Sequence, residues 1–144
     1  GDRAYEYYRK FMPSAYNTKA EIREIEPYVY CQFTHSKYSP RYGASRLPWL
    51  SGTASWAYYT AAQYILGIQP DYNGLRINPC IPSTWKEFQV QRRFRNKLFT
   101  INVSNPNSVQ KGVKQLELNG KPLPSNFIPF EVATEVNIVK VVMG

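Results

Sequence analysis

Tyr64-Ile65-Leu66-Gly67-Ile68-Gln69-Pro70-Asp71-Tyr72-Asn73-Gly74-Leu75 is where the chain changes character. From Ala54 to about Leu66, good helix formers carry an aromatic face of Trp56, Tyr59 and Tyr64. Gly67 then supplies the residue type that ends helices. Beyond Pro70, Asp71-Tyr72-Asn73-Gly74 reads as a turn. Short strand-forming runs follow, punctuated by Pro79, Pro82, Asn96, Pro106 and Gly112.

Upstream of this stretch the pattern is helical or irregular. Ala4, Tyr5, Tyr8, Phe11 and Met12 recur at helical spacing behind Asp2, a candidate N-cap, until Pro13 stops the run. Ser14 to Glu26 reads as polar and irregular. Glu26-Pro27-Tyr28-Val29-Tyr30-Cys31-Gln32-Phe33 is compact and aromatic, and fits either a helix started by Pro27 or a strand. Thr34 to Pro48 reads as loop, and Ser51-Gly52-Thr53 opens the clearest helix.

Downstream, Phe88 to Phe94 alternates, with Phe88, Val90 and Phe94 on one face. Leu98 to Val103 is its expected hairpin partner across Asn96-Lys97. Asn119-Gly120 is a hairpin turn between short apolar runs, and Val136 to Val142 reads as a final buried strand. Helices followed by strands, without alternation of the two, place the chain in the α+β class. Two good helices are too few to close a core of their own, so the helical half is expected to have neighbours outside this sequence.

The 144 residues fit one ordinary domain, or a small domain with an arm. Two cysteines, Cys31 and Cys80, exclude a disulfide framework, and no CxxC pair marks a zinc site. A single histidine, His35, leaves little for a histidine-based metal or triad site, so no metal is expected. No apolar run is long enough to cross a bilayer and no signal-peptide pattern is present, so the expected compartment is the cytoplasm, with no membrane partner. The net charge of +8 favours anionic partners, and twelve tyrosines suit sugars, bases or protein faces. The chain starts at Gly1 without a methionine, as expected of a trimmed chain or a piece of a longer one.

Several residues are candidates for chemistry. Ser51-Gly52-Thr53 places small hydroxyls and a glycine before a helix, where free N–H groups and the dipole favour an anion; a simple N-cap explains the same residues. Gln32, after the aromatic run, suits a polar anchor in a ligand pocket or a tie to the backbone. Glu26 is a second such anchor, or is solvated. Cys31 and His35, four apart, lack an orienting partner and read as structural. Arg92, Arg93, Arg95 and Lys97 form the densest charge cluster, with Arg93, Arg95 and Lys97 expected on one strand face around Phe94. That pattern fits a solvated sheet face better than a nucleic-acid grip, because no RNA-binding motif accompanies it. The sparse carboxylates, Asp71 among them, make no self-sufficient acid–base pair.

Together, the strings Gly1-Asp2-Arg3-Ala4-Tyr5-Glu6-Tyr7-Tyr8, Glu26-Pro27-Tyr28-Val29-Tyr30-Cys31-Gln32, Trp49-Leu50-Ser51-Gly52-Thr53-Ala54-Ser55-Trp56 and the Tyr64 to Leu75 stretch, with Pro79-Cys80-Ile81-Pro82 and the closing Val141-Val142-Met143-Gly144, resemble the C-terminal part of a glycoside hydrolase family 94 phosphorylase. That group contains cellobiose and chitobiose phosphorylases. The resemblance implies that residues 1–67 are the last helices and active-site loops of an (α/α)6 catalytic barrel. It implies that residues 68–144 are a C-terminal, antiparallel, jelly-roll-like β-sandwich, and that the rest of the enzyme lies upstream.

The implied reaction is inverting phosphorolysis of a β-linked disaccharide, cellobiose first and chitobiose second, to an α-sugar 1-phosphate and a free sugar. Inorganic phosphate is the co-substrate and no cofactor is expected. Carried over residue by residue, Gln32 is the donor-sugar contact, and Ser51 and Gly52 are the phosphate-binding pair. The general-acid aspartate and the remaining phosphate ligands match nothing here, and His35 is not in the family histidine's place. The implied partners are the disaccharide, phosphate and the missing N-terminal part of the enzyme, with a possible homodimer and no nucleic acid. The chain alone is expected to be inactive. A non-catalytic carbohydrate-binding module is the alternative, and a basic RNA-binding protein is a third.

Overall fold

The computed structural model describes all residues 1–144. They form two compact units, one of residues 6–59 and one of residues 1–5 with 60–144. The chain is α+β, with few helices and three sheets whose strands pair mostly antiparallel. No helix is long and apolar enough to cross a membrane.

Helix α1 runs from Asp2 to Phe11 and stops before Pro13, where a 3-10 stretch, Pro13–Lys19, begins. Its N-cap is not Asp2. The first intrahelical bond is donated by Tyr5 N to Gly1 O at 2.9 Å, so Gly1 takes that place. The Asp2 carboxylate instead accepts from Ser83 N at 2.7 Å and from Ser83 Oγ. Around it, Gln110 Oε1 accepts from the Gly1 ammonium at 2.8 Å and Tyr5 meets Trp85 edge-on, so residues 1–5 are tied to the β-rich unit.

The segment expected to be irregular contains that 3-10 stretch and a short helix, α2 (Ala20–Arg23). The ambiguous aromatic run ends in a strand, β1 (Cys31–Thr34). The expected loop from Thr34 to Pro48 contains its partner, β2 (Ser45–Pro48), with Cys31 opposite Pro48 and Thr34 opposite Ser45. Pro and Arg disguised β2; pairing across the bend, not intrinsic propensity, makes it a strand. Helix α3 spans Thr53–Tyr59, and the next turn, Thr60–Ile65, is π-helical, with Leu66 N donating to Ala61 O at 2.8 Å.

The 6–59 unit fully buries few apolar side chains, Val29, Ala44 and Ala57 among them. Tyr28, Tyr38, Tyr42, Trp49, Trp56 and Tyr58 stand more than 60% exposed. That is far more apolar ring surface than an independent unit leaves in water.

In the other unit, β3 (Ile68–Asp71) and β4 (Gly74–Ile77) form the expected hairpin around Tyr72-Asn73, and β4 pairs onward to β9 (Phe127–Pro129). A five-stranded sheet runs β5-β6-β10-β7-β8, with β5 at Glu87–Phe94, β6 at Lys97–Ser104, β7 at Gln115–Leu118, β8 at Lys121–Leu123 and β10 at Val136–Val142. Inward positions alternate: Phe99, Ile101 and Val103 on β6, Leu116 and Leu118 on β7, Val139 and Val141 on β10. A side chain such as Phe99, 1% exposed, gains about 2–3 kcal/mol from that burial.

Three expectations about this sheet change. The β5–β6 turn is Arg95-Asn96, one residue earlier than expected; both have positive φ (47° and 65°), as a two-residue hairpin of matching twist requires. Strand β10 is buried on one face only, with Val136, Ile138 and Lys140 outward. Most notably, β10 pairs parallel with β6, Val136 opposite Leu98 through Val142 opposite Ser104, so the sheet is mixed rather than antiparallel. Local turn chemistry predicts hairpins; a parallel pair needs a long crossover that leaves no local signal.

Two asparagines hold the loops of this unit from inside. Asn105, fully buried, donates through Nδ2 to Trp85 O and Val109 O and accepts Val109 N at 2.9 Å. Asn137, also fully buried, donates to Leu98 O and Thr134 O and accepts Thr134 N. Asn105→Ala strands three backbone groups. It is expected to lower the unfolding free energy by about 2–3 kcal/mol. Urea titration reads this directly, and a loss below about 1 kcal/mol would show that water re-pairs the loop.

Candidate functional site

Within the 6–59 unit the chain turns back at Leu47 and Trp49, both at positive φ (54° and 67°), and delivers Ser51-Gly52-Thr53 beside β1. Four polar contacts fasten this delivery, one of them the 3.4 Å approach of Ser51 Oγ to the Cys31 carbonyl. Ser51 Oγ accepts from Thr53 N at 2.9 Å, the geometry of a cap. Its hydroxyl donates to Thr53 Oγ1 at 2.7 Å, and Thr53 Oγ1 donates to the Cys31 carbonyl at 3.1 Å. Each hydroxyl thus spends its one proton along a relay that ends on the peptide joining Cys31 to Gln32.

The relay brings together the three residues singled out from the sequence. Gln32, exposed on β1, sits one peptide from the relay's end. Gly52 accepts the first helical bond, from Trp56 N at 3.0 Å, and is exposed. A Cβ placed on it would meet nothing closer than the Trp56 ring at 3.6 Å, so the space in front of Gly52 is open. Ser51 precedes Gly52, the residue that accepts the first helical bond, and its oxygen takes up the Thr53 N–H at the helix start.

Next to the relay is a cavity of about 560 Å³. Gln32, Cys31, Thr53 and Ser45 line it with Phe11 and Tyr30; Lys10, Lys19 and Arg23 supply positive charge, and no Asp or Glu borders it. Arg23, 8% exposed, donates from Nη2 to Val29 O at 2.9 Å, and its Nη1 has no acceptor. Cys31 Sγ lies 3.4 Å from Thr34 Oγ1, which lies 3.2 Å from Ser45 Oγ. Burial pushes the Cys31 thiol up, but hydrogen bonding to Ser45 and Thr34 and the Arg23 charge outweigh it and hold the thiol below its usual range.

The other sequence candidates are placed elsewhere. His35 Nδ1 pairs with Ser39 Oγ at 3.1 Å, so Cys31 and His35 make no nucleophile pair. Glu26 accepts from Trp49 Nε1 at 3.3 Å. Asp71 accepts from Tyr72 N and faces Arg76, a turn residue as expected. The basic cluster does not form one stripe: Arg95 lies over the Phe94, Phe130 and Tyr72 rings, and Lys97 donates to the Phe130 and Ala133 carbonyls. No three His, Cys, Asp or Glu side chains converge. Arg23 and Thr53 were the residues that sequence reasoning missed. Arg23 sat in a segment read as irregular, and Thr53 was read with Ser51 and Gly52 as an anion cradle or a cap, not as the link to the Cys31 carbonyl.

Residues 1–67 match the profile of the glycosyl hydrolase 94 superfamily catalytic domain, and residues 68–122 that of the glycosyl hydrolase family 65 C-terminal domain. The whole chain is 42% identical to an N,N'-diacetylchitobiose phosphorylase of Vibrio proteolyticus and 39% identical to one of Vibrio furnissii, spanning 18% of each. Over 90% of its length it is 32% identical to a solabiose phosphorylase of Paenibacillus borealis, spanning 17% of it. The chain therefore spans less than a fifth of the curated relatives it matches.

Proposed function

Because residues 1–67 match the glycosyl hydrolase 94 superfamily catalytic domain, we propose that the chain supplies the donor-sugar and phosphate contacts of an inverting disaccharide phosphorylase. The carrying observation is the hydroxyl relay from Ser51 through Thr53 to the Cys31 carbonyl. It fixes the Ser51-Gly52 turn against the strand that bears Gln32, so an anion and a sugar are held in one frame.

In this reading the Gln32 amide bonds sugar hydroxyls in the donor subsite. The Ser51 hydroxyl, turned from Thr53 Oγ1 to the anion, and the backbone at Gly52 hold inorganic phosphate at the helix start, where the dipole favours negative charge. Phosphate attacks the anomeric carbon from the face opposite the leaving oxygen, and an acid outside this chain protonates that oxygen. The nucleophile arrives already anionic, so no basic side chain is required. What the chain contributes is position: two reactants held in a near-attack arrangement, with charge stabilisation built in. The exposed rings of the 6–59 unit and the relatives' greater length both support a catalytic unit completed by preceding sequence.

The substrate we propose is a β-linked disaccharide, with N,N'-diacetylchitobiose now ahead of cellobiose, because the relatives 42% and 39% identical carry that name. The test is release of sugar 1-phosphate from each, with and without phosphate, by the polypeptide extended upstream to the relatives' length. Phosphate-dependent release from either one supports the reading; binding of both sugars with no release would favour the carbohydrate-binding module. In the same enzyme Gln32→Ala is expected to raise KM for the disaccharide about tenfold, the worth of one or two hydrogen bonds, with Gln32→Glu intermediate. An unchanged KM removes Gln32 from the donor subsite.

A further inference from the structure

The cavity beside β1 holds a buried cation with one nitrogen left unpaired and a thiol that can become its anion. Arg23 is buried to 8% exposure, yet its Nη1 has no acceptor. An arginine is charged at any physiological pH, and a buried donor of that kind without a partner is costly enough to call for an anion. The titratable groups bordering the cavity are Lys10, Lys19 and Arg23, the phenols of Tyr16, Tyr30 and Tyr42, and the Cys31 thiol. No carboxylate is among them. Cys31 is therefore the bordering acid most readily ionised, and Thr34 and Ser45 extend a hydroxyl chain to its sulfur. The residue's exposure is intermediate and it lines the cavity.

We propose that Cys31 is a modification site, at which a hydroperoxide converts the thiol to a sulfenic acid while Arg23 provides the countercharge. The proton of Sγ leaves to solvent and the sulfur attacks one peroxide oxygen. An S–O bond forms, the O–O bond breaks, and the other peroxide oxygen departs as hydroxide or alkoxide and takes a proton to become water or an alcohol. Sulfur is oxidised by two electrons and the peroxide is reduced by the same two. The direction in which the cavity moves the thiol agrees with this: hydrogen bonds and the Arg23 charge overcome the effect of burial. The proposal does not depend on the phosphorylase reading. If that reading also holds, an oxygen on Sγ would stand beside Gln32, next to the peptide that Thr53 grips.

The test uses the folded polypeptide extended upstream to the relatives' length, with its own denatured state as the reference. Iodoacetamide labelling of Cys31 and Cys80 is followed by peptide mass mapping between pH 6 and 10. Each pKa unit of lowering gains about tenfold in thiolate and returns about threefold in intrinsic nucleophilicity. Folded Cys31 is therefore expected to react faster at pH 7 than in guanidinium, with its rate–pH midpoint moved down. Arg23→Gln is expected to raise that midpoint. Thr34→Ala, on the exposed strand, should raise it too, and serves if the arginine variant fails to fold. Hydrogen peroxide with dimedone is expected to place the adduct on Cys31 and not on Cys80. A midpoint at or above that of the denatured chain, or a dimedone adduct on Cys80 in preference to Cys31, overturns the proposal.

Discussion

Ser51→Ala, in the polypeptide extended to the relatives' length, is expected to lower kcat/KM for phosphate by about 10²-fold or more, the usual loss when one donor to a reacting anion is removed. The same change removes a cap: Thr53 N loses its acceptor at 2.9 Å and Thr53 Oγ1 loses its donor. A lost cap costs about 1 kcal/mol of stability. The two consequences separate cleanly. A capping role alone predicts a small drop in urea midpoint with phosphate kinetics intact; a phosphate role predicts the kinetic loss on top of it. Ser51→Thr keeps the hydroxyl and should restore phosphate kinetics to near the parent value. If Ser51→Ala leaves kcat/KM for phosphate within about twofold, Ser51 is a cap and the phosphate contact must be sought elsewhere.

Gly67→Ala is expected to destabilise the β-rich unit strongly. Gly67 has φ +71°, a conformation that costs a residue with a Cβ about 1 kcal/mol. Steric contact costs more. An added Cβ would lie 2.2 Å from the Asn78 carbonyl carbon and 2.3 Å from Pro79 N, which are backbone atoms and cannot rotate away. That backbone is also bonded in place, with Asn78 N donating to Gly67 O at 2.8 Å and Cys80 N to Ile65 O at 2.9 Å. Relieving the clash means opening these bonds, so a total loss of about 3–5 kcal/mol is expected. Gly120→Ala is the internal reference: φ is +80°, and nothing lies within 4 Å of the added atom. It should cost only about 1 kcal/mol. Urea titration of both variants isolates the cost of the clash. A difference below about 1 kcal/mol would mean that the Asn78-Pro79 backbone yields more easily than its bonds imply.

These two positions also show what the sequence made legible. Gly67 was readable as a helix stop because a glycine after a periodic run has a local meaning; that it is also wedged against Asn78 is a fact of folding. Asn119-Gly120 was readable for the same local reason, and its φ values of 52° and 80° are those a two-residue hairpin turn needs. The α+β class followed from the switch of periodicity at Gly67. Strand β2 and the parallel pairing of β10 with β6 were not readable, since each is created by a partner distant in the chain. The candidate site divides along the same line. Gln32 and the Ser51-Gly52 pair stood out as residue types in a pattern and as part of a family resemblance. Arg23 and the reactive setting of Cys31 did not, because the groups that act on that sulfur come from α2, β1 and β2.

The place of β10 in its sheet bears on how the chain is made. β10 follows every other strand in sequence, yet it lies between β6 and β7 and is bonded to both. During synthesis the β5–β6 and β7–β8 hairpins can each form as soon as they emerge, because their turns are local. Neither can join the other until Val136–Val142 has left the ribosome, so the sheet's central ladders close in one late step. Until then the inward rows of β6 and β7, Phe99-Ile101-Val103 and Leu116-Leu118, have no β10 beside them, and β6 offers an open strand edge to any neighbouring nascent chain. The nascent chain is most exposed to misassembly just before its last strand arrives.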